Sequence, residues 1–285
     1  MPKMGASLYV LLGSLAFGIW GLVPIYFHQL DEVDPILILS QRVFWSAIIL
    51  ILIAIIKPKL ISFNEINAKD VGLAFVAGLL MNLSWLGFVY ATITNNIMAA
   101  SLAFYITPVM VFVTGFIFFK EKITQYQKIS LSLMILAIAV YVYFDKQLPI
   151  LSLVIAFLFT FYFVAKKRMN TGTFAAIFLE HIVFSPIALI YIWLNISDET
   201  YVEWLTLMLA APLQLLPIFL LSIALLKMPL TKISILQYIE PTLHLALAVW
   251  VYHESVSSGQ KYAFIIIVLS IIFSLLNSKK NYVNN

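Results

Sequence analysis

Gln237, Glu240 and His244 follow an i, i+3, i+7 spacing, which sets an amide, a carboxyl and an imidazole on one face of a helix. Glu180-His181, Gln41-Arg42, Asn82 and Gln214 also lie within long apolar stretches. An ionisable side chain inside a bilayer is costly, so each of these groups calls for a partner or a polar cavity. Glu180 and Glu240 each fall about nine residues in from a span end, roughly 14 Å deep at about 1.5 Å per residue. Two carboxyls at such a depth either share a proton or pair with Arg42 or a histidine, and proton-coupled chemistry is open to both arrangements. The Arg42 guanidinium, with Gln41 beside it, suits bidentate recognition of a carboxylate.

Prolines and aromatics surround these groups. Pro241 removes the helical hydrogen bond to the carbonyl of Gln237, and Pro108 creates the same break next to Ser101 and Tyr105. Two broken helices facing one another point to a binding site at mid-membrane, lined by Tyr105, Gln237, Tyr238, Glu240 and His244. Trp20, together with Asn82 and Trp85 at i, i+3, supplies a clamp for an amphipathic or aromatic solute. No Walker A loop, H-E-x-x-H or G-x-S-x-G motif occurs, and the four histidines are scattered. No catalytic residues, metal site or cofactor are therefore expected. The run Lys166-Lys167-Arg168 reads as a topology anchor against anionic lipid.

Elements able to hold such groups must be membrane helices. Of the 285 residues, 63% are apolar and 11% charged, and the mean hydropathy is +1.02. Soluble domains carry roughly 25% charged residues. Ten windows are long enough to span: about 5–30, 35–56, 70–91, 95–118, 126–144, 148–168, 172–194, 204–226, 231–252 and 259–277. One side of the membrane gathers Lys57, Lys59, Lys69, Lys120, Lys122, Lys128, Lys166, Lys167, Arg168, Lys227 and Lys232, with Lys3, Lys279 and Lys280 at the termini. The other side holds only Lys146 and Lys261. The positive-inside rule then predicts cytoplasmic termini, with acidic loops at 31–34 and 198–203 outside.

The stretch Ser101 to Lys128 returns without a gap as Ser234 to Lys261. Ser101/Ser234, Tyr105/Tyr238, Ile106/Ile239, Pro108/Pro241, Glu121/Glu254, Gln127/Gln260 and Lys128/Lys261 are identical pairs. The offset maps the fourth and fifth windows onto the ninth and tenth. The expected fold is therefore all-α and integral to the membrane, with ten transmembrane helices in two five-helix repeats, 1–144 and 145–285. An odd span count inverts the second repeat relative to the first, an arrangement suited to two states open to opposite sides.

Four stretches then carry a family resemblance: Gly18 to Phe27, Gln41 to Ser46, Ala100 to Pro108, and Leu236 to Thr242. They resemble the drug/metabolite transporter superfamily, specifically RarD-type EamA-domain proteins. The resemblance covers essentially the whole chain and implies a bacterial inner-membrane permease of the kind often labelled a chloramphenicol-sensitivity protein. Gln41 stands where those relatives commonly carry His, Thr107 where they carry Asn, and Glu240 where they carry a small residue. The expected function is a secondary active transporter of small amphipathic metabolites or drugs by alternating access, an exporter on family grounds, with Glu180 or Glu240 as proton site. An uncoupled facilitator or exchanger of amino acids, and an intramembrane enzyme using the same groups as acid and base, are the rival readings. The expected partners are a small-molecule substrate and membrane lipids, with no nucleic acid.

Overall fold

The computed structural model describes residues 6–60, 66–121, 124–146, 148–195 and 204–282. The positions of Lys3 and Lys122 and the acidic loop at 198–203 lie outside these, as do the side chains of Lys279 and Lys280. Twelve α-helices follow in order: α1 Ala6–Phe27, α2 Pro35–Ile56, α3 Ala68–Ile93, α4 Ile97–Phe119, α5 Gln125–Asp145, α6 Ile150–Arg168, α7 Thr173–Ile182, α8 Ser185–Asn195, α9 Trp204–Leu225, α10 Leu230–Leu236, α11 Ile239–Ala246 and α12 Ser258–Tyr282. Among the described residues there is no strand. Among the described residues, eight helical segments are long and apolar enough to cross a membrane: α1 to α6, α9, and the α7–α8 pair taken together.

Local chemistry sets the helix boundaries. Asp34 caps α2 by accepting the Leu37 N–H at 3.1 Å, with Pro35 in the first turn, and Asn67 caps α3 through the Asp70 N–H at 2.8 Å. Pro186 lacks the N–H that would bond Ile182, and the freed carbonyl accepts the Ser185 hydroxyl at 2.9 Å where α7 gives way to α8. The expected ninth span is not one helix. It breaks at Gln237–Tyr238 between α10 and α11 and ends in a π-helical turn, Leu247–Val251. Pro241 is three residues past that break.

In the packing, α4 lies against α6, α10 and α11, while α1 lies against α9, α10 and α11. α3 lies against α6, and α5 runs along α12. The start of α12 is held by Asp145 at the end of α5, which accepts the Gly259 N–H at 3.0 Å and the Ser257 hydroxyl at 2.5 Å. Where α1 crosses α11, Gly21 is needed, because a Cβ there would stand 2.6 Å from Leu243.

Two chain reversals repeat in detail. Lys120 and His253 both take the left-handed conformation, each with φ of 53°. The next residue in each case bonds back six positions: Glu121 N–H to Gly115 O at 3.2 Å, and Glu254 N–H to Ala248 O at 2.9 Å. Both glutamates then reach across to the other half of the chain. Glu254 accepts the N–H groups of Ile97 and Met98, at 2.9 and 3.0 Å, at the start of α4. Glu121 accepts the Leu230 N–H at 3.0 Å, at the start of α10. The α4 helix and the broken α10–α11 segment therefore run antiparallel, each starting where the other ends.

Candidate functional site

Seven residues enclose a small chamber in the bundle core: Trp20 of α1, Ser84, Trp85 and Phe88 of α3, Phe104 of α4, Phe159 of α6 and Glu240 of α11. The rings form a nearly continuous wall. Trp20 meets Phe159 at 5.9 Å between centroids, Phe159 meets Phe104 at 5.7 Å, Phe104 meets Phe88 at 5.5 Å, and Phe88 meets Trp85 at 5.6 Å. All four pairs are edge-to-face, the favoured geometry for rings whose faces are negative and edges positive. The void inside is about 10 Å³, so the rings are closed around a water-sized space.

Glu240 is 4% exposed, and its carboxyl has no hydrogen bond or ion pair with any described residue. It is the one acidic group on the chamber wall. The faces of the surrounding rings can take a cationic or polarised group, and the carboxyl can hold a proton or an N–H donor.

Arg42 and Asn82 stand behind Trp85. The guanidinium lies 4.7 Å from the centre of the Trp85 ring, and its Nη2 donates to Asn82 Oδ1 at 2.6 Å. Arg42 is 1% exposed, and its Nε and Nη1 have no protein partner. Gln41 is turned to its own helix, accepting the Trp45 indole N–H at 2.9 Å.

His244 belongs to the frame. Its Nε2 donates to the carbonyl of Trp20 at 3.3 Å. That carbonyl is free because Pro24, four residues on, has no N–H to offer. The imidazole is stacked on Phe88 at 5.4 Å and meets Phe104 at 5.3 Å, so it ties α11 to α1 behind the aromatic wall.

Glu180 takes a partner outside the expected set of Glu240, Arg42 and histidine. Lys166 of α6 donates to it at 2.5 Å, both side chains being almost wholly buried, at 6% and 2% exposure. The reading of Lys166 as a lipid-facing anchor is thereby corrected: its ammonium turns inward because the carboxyl of α7 needs a counter-charge in an apolar setting. Among the described residues this is the single salt bridge.

Tyr105 and Tyr238 sit apart from the chamber, in a second apolar cluster formed by α4, α5, α6, α12 and the residues flanking α11. Tyr105 donates to Thr242 Oγ1 at 3.4 Å and leans on Phe264, while the Tyr238 carbonyl accepts the Thr242 hydroxyl at 2.7 Å. The break expected at Pro108 does not occur, since α4 runs continuously through it, and Ser101 joins α4 to the broken α10–α11 segment by donating to the Pro241 carbonyl at 3.2 Å. Gln237 lies at the α10–α11 break, its Oε1 buried without a partner. Of the expected residues, then, Trp20, Trp85 and Glu240 share the chamber, and Arg42 and Asn82 back it. Ser84, Phe88, Phe104 and Phe159 had no sequence signal beyond being small or aromatic in an apolar helix.

A bundle of long apolar helices that closes a carboxyl and edge-to-face rings in its core has the character of a multi-span membrane protein. The comparisons with known proteins agree with that class. The EamA-like transporter family matches residues 6–143 and again 148–276. The uncharacterized transporter YojE of Bacillus subtilis (strain 168) is 29% identical over 265 residues, 90% of this chain and 89% of that protein. Protein RarD of Escherichia coli (strain K12) is 28% identical over 274 residues, 92% of each chain. A solved crystal structure that is 14% identical shares the fold, with a TM-score of 0.71 over 95% of this chain and 98% of its own. The chain belongs to the EamA-like transporter family.

Proposed function

We propose that the protein is a secondary transporter of the bacterial inner membrane, with cytoplasmic termini, that moves small amphipathic solutes by alternating access. In this reading ten membrane-crossing segments form two inverted five-helix units, 1–144 and 145–285. The observation that carries this reading is the crossed pair of glutamate caps. Glu254 binds the start of α4 and Glu121 the start of α10, at opposite ends of an antiparallel pair. Each cap seals one end of the chamber, and alternate release of the two opens it to one side at a time.

Solute binds between the rings of the chamber, which widens when a cap releases. Arg42, backing Trp85, orients an acidic group of the solute, and Glu240 exchanges a proton. Glu180 is engaged by Lys166, which supports Glu240 over Glu180 as the coupling carboxyl. Export is the direction suggested by the family alone.

Purified protein in liposomes, screened with amino acids and amphenicols, tests this reading. Saturable accumulation driven by a proton gradient is expected, and Glu240→Gln should leave exchange but lose the gradient dependence. Flux that neither saturates nor responds to either substitution at Glu240 or Arg42 would overturn it.

A further inference from the structure

A second and larger cavity, about 220 Å³, opens where α6 and α9 end and α7 begins. Its walls include Lys166, Lys167, Thr171, Thr173 and Ser222, with Met169, Ala176, Leu225 and Leu226 as the apolar part. We propose that this cavity binds an oxyanion, a phosphate or carboxylate carried on an apolar body, through Lys166 and Lys167. The site is separate from the aromatic chamber and does not depend on the transport reading.

The donors are in place and only partly used. Lys166 is nearly buried, and one of its three ammonium protons goes to Glu180. Lys167 donates to the carbonyls of Met228 and Leu225, at 2.8 and 3.5 Å, which fixes its ammonium at the rim and leaves a third proton. The Thr171 hydroxyl is buried with no partner. Gly172 begins α7 with no side-chain cap, so the first amides of that helix add positive potential beside the lysines. Three carboxylates stand around this cluster, one of them Asp70, which accepts the Asn170 N–H at 3.1 Å. Glu180 is bound to Lys166, and Glu121, which acts electrostatically on Lys167, is held by the Leu230 amide. Arg168 packs over Phe118 and Phe119 next door, and it is the ammonium protons of Lys166 and Lys167 left unused by the protein that an oxyanion takes up. Lys166 also joins the cavity to the buried Glu180, so an anion there competes with that carboxyl for the same ammonium.

A lipid headgroup and a free metabolite both present this chemistry, and two measurements distinguish them. Thermal stability in neutral detergent is followed while inorganic phosphate or benzoate is titrated, with chloride at matched ionic strength as reference. Native mass spectrometry then scores retention of phosphatidylglycerol against phosphatidylcholine. Lys167→Gln leaves the buried ion pair intact, and Ala176→Leu fills the cavity without altering charge. We expect stabilisation by phosphate or benzoate, or selective retention of phosphatidylglycerol, weakened at least fivefold by Lys167→Gln and lost in Ala176→Leu. Stabilisation by the free anions alone assigns a metabolite, and retention of the lipid alone assigns a headgroup. No effect beyond chloride with no lipid preference, or wild-type binding by both variants, would overturn the proposal.

Discussion

Glu121 and Glu254, 133 positions apart, each hold the first amide of the helix that the other one follows: Glu121 that of Leu230 and Glu254 that of Ile97. Each closes a left-handed reversal, at Lys120 and His253, and each bonds back to the carbonyl six residues earlier. A carboxylate on a helix N-terminus satisfies orphan amides and favours the positive end of the helix dipole. Such a bond is worth about 1 kcal/mol, strong enough to hold a closed end and weak enough to let go.

Glu121→Ala and Glu254→Ala should each lower stability by about 1 kcal/mol, since the helix amides lose their side-chain acceptor. The double variant should lose the sum, because the two caps share no partner. Thermal melts of the four proteins in one detergent check this, and strong non-additivity would contradict two independent caps.

Acid should act on Glu254 in a defined direction. Burial raises its carboxyl above the usual glutamate range, against the opposing pull of the Met98 and Ile97 amides and of His28. A folded-state value above the unfolded one means that protonation favours the fold. The contribution of this group is thus complete below the unfolded value and is lost as pH rises through the folded one. The wild type should gain stability relative to Glu254→Gln on mild acidification, and the comparison of melting temperatures from pH 7.5 to 5 checks the sign.

Lys166 and Glu180 should behave as a unit. Removing either partner leaves a charge buried alone, at a cost of about 3–5 kcal/mol, whereas Lys166→Met with Glu180→Leu should recover most of that loss. Stability of the singles and the double in detergent reads this directly. A double variant as weak as the worse single would contradict it.

The helical, membrane-embedded character was legible in the sequence from apolar run lengths alone, and so was the kinship of the two glutamates, as an identical pair in the repeat. The task of those glutamates was not, because their partners are the backbone amides of Ile97, Met98 and Leu230, which leave no mark in the sequence. Lys166 was misread for a related reason. A lysine at a helix end next to Lys167 and Arg168 usually reaches outward, and the carboxyl that turns it inward is set on the next helix. Pro24 announced a free carbonyl at Trp20, but the donor that takes it, His244, is 224 residues distant. Tyr105 and Tyr238 were placed in the centre by their neighbouring prolines, whereas the fold turns both toward α5 and α12.

His244→Phe should keep the stacking on Phe88 but leave the Trp20 carbonyl without its donor, at a cost of about 1–3 kcal/mol. Binding of solute should survive, because the imidazole is on the frame of the chamber. A melt together with a binding isotherm checks this, and lost binding at unchanged stability would make His244 a solute contact.

The most direct test of alternating access uses the absence of native cysteine. Met98→Cys and Leu230→Cys place single thiols at the two capped ends, at positions 3% and 0% exposed in this state. Labelling rates are measured in liposomes in backgrounds carrying Glu254→Gln or Glu121→Gln. The account predicts that Glu254→Gln speeds labelling at position 98 and slows or leaves that at 230, with the reverse for Glu121→Gln. Both ends becoming reactive together in either background would contradict it.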